Sequence, residues 1–215
     1  MSKASRKAAR PVVVGVTGHR SIASGDAKIA ALVRKELRRI SRTHKDAPLV
    51  ILSGLAEGAD RLVAEVARKD FGAELWAILP LPAPLYVQDF AKHASVKDYE
   101  RLKAASRRVI EAPLMASRRA VSRYGESRNH QYAWIGAFIA KRAHVLLAIW
   151  DGAPARGTGG TAQVVDWFLS ERVPGAYAIS KAPRIPAPKR ASGELVCIDP
   201  RNRKVTRRKR SRARR

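Results

Sequence analysis

The chain has 215 residues, 46% of them hydrophobic, and a formal net charge of +25. This length suits one domain with a full core and is too short for two ordinary domains with tails. The single cysteine, Cys197, excludes an intrachain disulfide and a cysteine-based zinc cluster. No apolar run approaches the ~18 residues of a membrane span, and the basic N-terminus lacks the hydrophobic stretch of a signal peptide. We therefore expect a cytoplasmic protein with no metal site and no membrane contact.

The positive charge is concentrated at the two ends of the chain. Residues 1–10 carry four basic residues and no acid, and residues 201–215 carry ten basic residues and no acid. Both ends are poor in apolar residues, which predicts disordered tails that bind nucleic acid nonspecifically. We predict one domain over residues 11–180. Residues 181–215 are predicted to hold a Pro-rich basic linker, a short edge strand and the basic C-terminal tail.

The stretch Leu-Val-Ile-Leu-Ser-Gly, at residues 49–54, is the centre of the predicted fold. Its four apolar residues predict a strand buried on both faces, and an amphipathic helix is predicted over residues 58–69. Glycines at this junction let the backbone approach a ligand, and a helix N-terminus attracts anions. The alternative is that Ser53 caps the helix and the glycines only form the turn. The candidate ligand-binding residues here are Ser53, Gly54, Glu57, Gly58 and Asp60.

Two other predicted strands end in the same way. Residues 11–20 predict a β-branched strand closed by a glycine turn, where Arg20 offers a guanidinium fork to a phosphate. Residues 144–150 predict the most apolar strand, and a Gly-rich loop after it opens a helix near residue 162. The alternative at both places is a solvated loop. The candidate residues are Thr17, Gly18, His19 and Arg20 at the first strand end, and Asp151, Gly152, Gly159, Gly160 and Thr161 at the second.

The remaining segments continue an alternation of strands and helices. Helices are predicted over residues 27–41, 96–107 and 128–142, strands over 74–80, 108–113 and 176–180, and a loop or lid over 114–125. Pro80, at the end of the third strand, is a further candidate for ligand contact. Tyr86 and Phe90 share a helix face, and aromatic residues at this spacing are typical of a core. The alternative is that the two rings stack on a base. The alternation predicts an α/β fold, a three-layer Rossmann-like domain with a doubly wound, mainly parallel sheet.

Four groups of motifs resemble the SLOG superfamily. They are Val-Thr-Gly-His-Arg (16–20), Leu-Ser-Gly-Leu-Ala-Glu-Gly-Ala-Asp (52–60), Leu-Pro-Leu-Pro (79–82) with Tyr86 and Asp89-Phe90, and Ala-Ile-Trp-Asp-Gly (148–152) with Gly-Gly-Thr-Ala (159–162). This superfamily is the Rossmann-like group that contains the DNA-processing protein DprA and the LOG phosphoribohydrolases. The resemblance covers about residues 11–180. It implies a nucleotide or nucleotide-derived ligand at the carboxyl ends of the strands.

The same resemblance bears on catalysis. The catalytic LOG proteins have a Gly-Gly-x-Gly-Thr-x-x-Glu signature whose glutamate assists glycosidic cleavage. Aligning Gly160-Thr161 with its Gly-Thr places Val164 at the glutamate position. A valine side chain neither takes up a proton nor stabilises a developing cation. Glu57 and Asp60 are the candidate catalytic acids that remain near the strand ends.

Three functional hypotheses follow. The first is a sensor-type module that binds a phosphorylated nucleotide or an ADP-ribose-like ligand, with no cofactor besides that ligand. The second is a nucleotide N-glycosidase or phosphoribohydrolase that uses Glu57 or Asp60. The third is a nucleic-acid-binding protein of the DprA type, which the basic ends favour and the lack of aromatic residues among them disfavours. A homo-oligomer is compatible with each hypothesis.

Overall fold

The computed structural model describes residues 10–23, 25–154, 157–177 and 193–210. The strands are β1 (Val12–Gly18), β2 (Leu49–Ser53), β3 (Glu74–Leu79), β4 (Arg108–Glu111), β5 (Val145–Ile149), β6 (Glu194–Ile198) and β7 (Val205–Lys209). The helices are α1 (Ala27–Thr43), α2 (Ala59–Phe71), α3 (Ala83–Tyr86), α4 (His93–Ala104), α5 (Arg118–Val121), α6 (Glu126–Arg142) and α7 (Thr161–Ser170). Short 3-10 turns occupy Val87–Asp89 and Gly175–Tyr177.

The strands form one sheet in the order β4-β3-β2-β1-β5-β6-β7. All neighbouring pairs are parallel except β6 and β7, which are antiparallel. The prediction of an α/β, Rossmann-like, mainly parallel sheet is confirmed. The β1-α1-β2 and following units extend the sheet in one direction from β1, and β5 continues it in the other direction, as in doubly wound folds.

Helices cover both faces of the sheet because its central strands are apolar on both sides. Alternate residues of β1 point to opposite faces, so that Val12 and Val14 pack with α1 and α2, whereas Val13 packs with α6 and α7. Helix α6 lies very close to β1. A Cβ atom on Gly15 would lie 2.5 Å from Cγ2 of Ile139, so this approach requires glycine. Tyr86 and Phe90 are buried in the α1-α2 face and are core residues in this structure.

The C-terminal part of the chain belongs to the sheet, contrary to the prediction from the sequence. Residues 201–210 were predicted to belong to a tail, but Val205–Lys209 forms β7 and pairs along its length with β6. The strand β6, predicted at an edge, lies between β5 and β7. The sheet therefore extends beyond the predicted domain boundary at residue 180. The basic leader at 1–9 and the last residues, 211–215, lie outside the described residues. So do residues 178–192, which hold the end of the strand predicted at 176–180 and nearly all of the predicted linker.

Smaller differences concern single elements. A strand was predicted at residues 176–180, but the described part of this segment belongs to the 3-10 turn at Gly175–Tyr177. The predicted loop at 114–125 contains the short helix α5, with Ser117 as its N-cap. Helix α4 begins three residues earlier than predicted. In the part of the chain that the structure describes, no helix is both long enough and apolar enough to cross a membrane.

Candidate functional site

The sheet order places a cleft between the ends of β1 and β5. Connections from these two strands run in opposite directions, so the loops that follow them separate and leave a crevice. A cleft of about 500 Å³ lies there, which we call the switch-point cleft. Its lining brings together two of the three predicted junctions, with Gly18, His19, Arg20, Asp151, Gly160 and Thr161 among the residues.

Two glycines near this cleft are required by packing. A Cβ atom on Gly18 would lie 2.5 Å from Cβ of Ala59 and 2.6 Å from the carbonyl oxygen of Ile149. Gly58 has φ of +80°, and its Cβ atom would lie 2.4 Å from the carbonyl oxygen of His19. The loop after β1 is thus pressed against the start of α2. These glycines position the loop that carries His19 and Arg20.

Three backbone donors of the second junction are used inside the protein. The amide of Ala59 donates to the carbonyl oxygen of His19 at 3.1 Å. The amide of Leu55 donates to Oγ of Ser53 at 3.1 Å, and that of Ala56 donates to Oδ2 of Asp60 at 3.3 Å. The carboxylate of Asp60 therefore occupies the position where a phosphate was expected. A phosphate at Ser53 and Gly54 would have to displace this carboxylate.

Asp60 lines a smaller cavity of about 220 Å³, which we call the Asp60 cavity. Burial raises the pKa of Asp60 to about 6, although the amide of Ala56 and the charge of Arg20 act in the opposite direction. Gly160 and Thr161 line this cavity as well as the switch-point cleft, so the two spaces adjoin. Val164, at the position of the LOG glutamate, also lines it. The cavity thus holds a carboxyl group whose pKa is raised toward neutral pH, and the side chain of Val164 forms an apolar part of its wall.

Arg20 lines both the cleft and the cavity. Its guanidinium lies over the ring of Tyr132, 5.1 Å from the ring centroid. Burial alone would lower the pKa of Arg20, but Tyr132, Tyr86 and Asp89 together raise it, so the side chain stays charged. The Tyr132 hydroxyl in turn donates to Asp89. The cation is held by a network that leaves it facing both spaces.

The ends of β1 and β5 are joined by a histidine and an aspartate. Nε2 of His19 lies 3.1 Å from Oδ1 of Asp151 and 3.4 Å from the Asp151 amide nitrogen. The amide of Ala153 donates to the same Oδ1 at 3.0 Å. This amide, with His19 and Arg201, holds the pKa of Asp151 below its usual range against the opposing effect of burial.

Arg201 is a cleft residue that the sequence analysis missed. It follows β6 and donates from Nη2 to Oδ2 of Asp151. Arg201 and Pro200 both line the switch-point cleft. No signal in the sequence separates Arg201 from the other cations of the C-terminal run, since its position depends on the pairing of β6 with β5.

The third junction opens into the cleft. Gly160 is the N-cap of α7, and no side-chain hydrogen bond from the described residues caps this helix. Gly159 has φ of +85° and donates its amide to Oε1 of Gln163 at 2.7 Å. Gly160, Thr161 and Ala162 line the cleft. This helix N-terminus and the first junction, at Gly18, therefore face the same open space.

Other predicted residues lie apart from this cleft. Glu57 lines a neighbouring cleft of about 600 Å³ beside α4, where its carboxylate accepts hydrogen bonds from Ser95 Oγ and from the Ala91 amide at 3.1 Å. The carbonyl oxygen of Pro80 accepts a hydrogen bond from Gln131 at 2.8 Å. Gly152 is exposed in the turn after β5, with φ of +82°. Among the described residues, no group of three or more His, Cys, Asp or Glu side chains could hold a metal ion.

Comparisons with known proteins found few similarities. No family model matches the sequence, and no curated protein matches it. Among solved structures, the chain is similar to the Moco carrier protein from Chlamydomonas reinhardtii, with 17% sequence identity and a TM-score of 0.31. The match covers 75% of this chain and 85% of that protein. A structural likeness this low carries no argument about function, which rests on the geometry of the site.

Proposed function

We propose that the protein binds a phosphorylated nucleotide or an ADP-ribose-like ligand in the switch-point cleft. One observation carries this proposal. The charged Arg20 side chain and the uncapped N-terminus of α7 face the same cleft, at the carboxyl ends of β1 and β5. A helix N-terminus and an arginine fork are both suited to phosphate oxygens.

The other polar groups of the cleft suit the sugar of such a ligand. Asp151 is an acceptor beside the anion site, and its carboxylate is oriented by His19 and by the Ala153 amide. Ribose hydroxyls donate to carboxylates in many nucleotide sites of this kind of fold. Gly160 and Thr161 would hold the phosphate, Arg20 would add charge, and Asp151 would take the ribose. The resemblance of the motifs in residues 11–180 to the SLOG superfamily supports a ligand of this class.

The test is a calorimetric titration with ADP-ribose, ADP and AMP at low and at high salt. Saturable binding that persists at high salt supports a built site, because nonspecific attraction to a basic protein is screened. Arg20→Ala is expected to weaken binding by about 1.5–3 kcal/mol, the range for a charged hydrogen bond. Arg38→Ala is the matched control, since Arg38 is exposed on α1 and away from the cleft. Equal losses in both variants would contradict the proposal.

A second candidate function is cleavage of an N-glycosidic bond, with Asp60 as the general acid. The observation that favours it is the raised pKa of Asp60, about 6, next to the proposed phosphate site. An acid that titrates near the working pH is suited to proton transfer. The test is release of free base from AMP by the wild type, by Asp60→Asn and by Glu57→Gln. Loss in Asp60→Asn alone supports this function, and no release above background contradicts it.

A further inference from the structure

The C-terminal hairpin places a second arginine at the cleft. The turn between β6 and β7 is fixed by backbone bonds from the Asp199 amide to Lys204 and from the Arg203 amide to Asp199, at 2.9 and 2.8 Å. The side chain of Asp199 also accepts the Arg201 amide at 2.8 Å. The backbone of Arg201 is therefore held in place, whereas its side chain is 71% exposed.

The position of this turn follows from the sheet. β6 pairs in parallel with β5, and the amide of Trp150 donates to the carbonyl oxygen of Ile198 at 2.9 Å. The turn after β6 and the loop after β5 consequently end at the same edge. β1 and β6 lie on either side of β5, so their backbones are about 10 Å apart. Arg20 and Arg201 thus approach the same cleft from two sides, with Asp151 between them.

The Arg201 contact is poorly suited to a purely structural role. The hairpin is already held by the β5–β6–β7 pairing and by Arg207, which donates to the buried carboxylate of Glu36. The Asp151 carboxylate also contacts His19 and the Ala153 amide, both at Oδ1, whereas Arg201 contacts Oδ2. The side chain of Arg201 is 71% exposed, so solvent screens its attraction to Asp151, and the pair stabilises the fold less than a fully buried pair would. The Arg201 guanidinium can therefore leave Asp151 and bind an incoming anion.

We propose that Arg201 and Arg20 together bind a diphosphate, so that the ligand class is a nucleoside diphosphate or a compound built on one. This inference rests on the proposed function. Arg201 turns from Oδ2 of Asp151 to one phosphate, while Arg20 and the α7 N-terminus hold the other. The exchange leaves Oδ2 of Asp151 free to accept a ribose hydroxyl, and His19 remains on Oδ1. A monophosphate engages one arginine and leaves Arg201 on Asp151.

The test compares ADP with AMP on the full chain by calorimetry at constant salt. Arg201→Ala is expected to weaken ADP binding by about 10- to 100-fold, the equivalent of one charged hydrogen bond, and AMP binding by less than about 3-fold. Arg201→Lys keeps the charge without the fork and is expected to fall between wild type and Arg201→Ala. Arg208→Ala is the matched control, because Arg208 is an exposed cation of the same hairpin outside the cleft lining.

The outcomes separate the two proposals. If the wild type binds neither nucleotide, the proposed function fails and this inference fails with it. If both nucleotides bind but Arg201→Ala leaves the ADP-to-AMP affinity ratio as it is in Arg208→Ala, the diphosphate inference is wrong and the nucleotide site stands. A thermal-unfolding midpoint of Arg201→Ala within about 1 °C of the control shows that the hairpin is intact, since a loss of about 1 kcal/mol shifts a protein of this size by about 2–4 °C.

Discussion

Nη2 of Arg128 lies 2.8 Å from Oδ1 of Asp89, and their side chains are only 3% and 4% exposed. Arg128 also donates to the carbonyl oxygens of Val121 and Leu85, at 2.7 and 2.8 Å. This arginine therefore ties α6 to α5 and α3. Because Asp89 also accepts from Tyr132, the same contacts support the ring beneath Arg20.

Breaking this pair is expected to destabilise the fold strongly. Asp89→Asn or Arg128→Met leaves one charge buried without its partner, and the free energy of unfolding is expected to fall by about 3–5 kcal/mol. The double variant is expected to lose less than the sum, since no unpaired charge remains. Urea unfolding measures these losses. Arg34→Ala is the control, because its pair with Asp70 is partly exposed and is worth at most about 1 kcal/mol. A loss no larger than in the control would contradict this role.

Asp60→Asn is expected to stabilise the protein at neutral pH. The pKa of Asp60 is about 6 in the fold against an ordinary value of 3.8. The folded state therefore binds the proton more tightly, and the stability of the wild type falls as the pH rises from about 4 through about 6. Near pH 7.5 the buried charge costs up to about 3 kcal/mol, which the variant regains. Urea unfolding near pH 7.5 and near pH 4.5 should show this gain shrinking in acid; a gain independent of pH would be evidence against the assignment.

His144 is expected to make the protein sensitive to acid. Burial, with smaller effects from His44 and Arg210, lowers the pKa of His144 from 6.5 to about 4. Its Nδ1 accepts the Val13 amide at 2.9 Å, which requires the neutral ring. The contribution of neutral His144 to the free energy of unfolding is therefore fully present above about pH 6.5. It decreases as the pH drops toward 4, by about 3 kcal/mol at pH 4.

The variant His144→Asn tests this expectation, because its amide oxygen can still accept the Val13 amide. Its unfolding free energy should fall less than that of the wild type between about pH 7 and about pH 4. His93→Asn, at an exposed histidine of α4, is the control. Parallel pH profiles of wild type and His144→Asn would rule out His144 as the acid-sensitive group.

Truncation distinguishes β7 from a tail. A chain that stops after residue 200 loses the whole of β7 and the donor Arg207, which contacts a Glu36 side chain that is 1% exposed. Its free energy of unfolding is expected to fall by at least about 2 kcal/mol, as for loss of a buried network. A chain that stops after residue 210 keeps every described element and is expected to unfold like the full chain. Identical urea curves for the two truncated chains would show that β7 contributes nothing.

The sequence by itself determined the class of fold and the position of most elements. Hydrophobic period is a local property, so the apolar run at residues 49–52 and the alternation of strands and helices predict a parallel sheet without knowledge of distant contacts. The same reasoning located two of the strand ends that meet in the cleft, at Gly18 and Asp151. β7 was missed because Val205–Lys209 is mostly charged, and only its pairing with β6 makes it a strand.

The tertiary structure decided which glycine junctions are open. The amide of Ala59 is taken by the carbonyl oxygen of His19, a residue 40 positions earlier in the chain, and the carboxylate of Asp60 folds back onto its own junction. The N-terminus of α7 stays open, although its sequence resembles the others. Arg201 reaches Asp151 only because β6 lies beside β5. Local patterns show where a donor occurs, but whether it is free depends on groups that only the folded chain brings near.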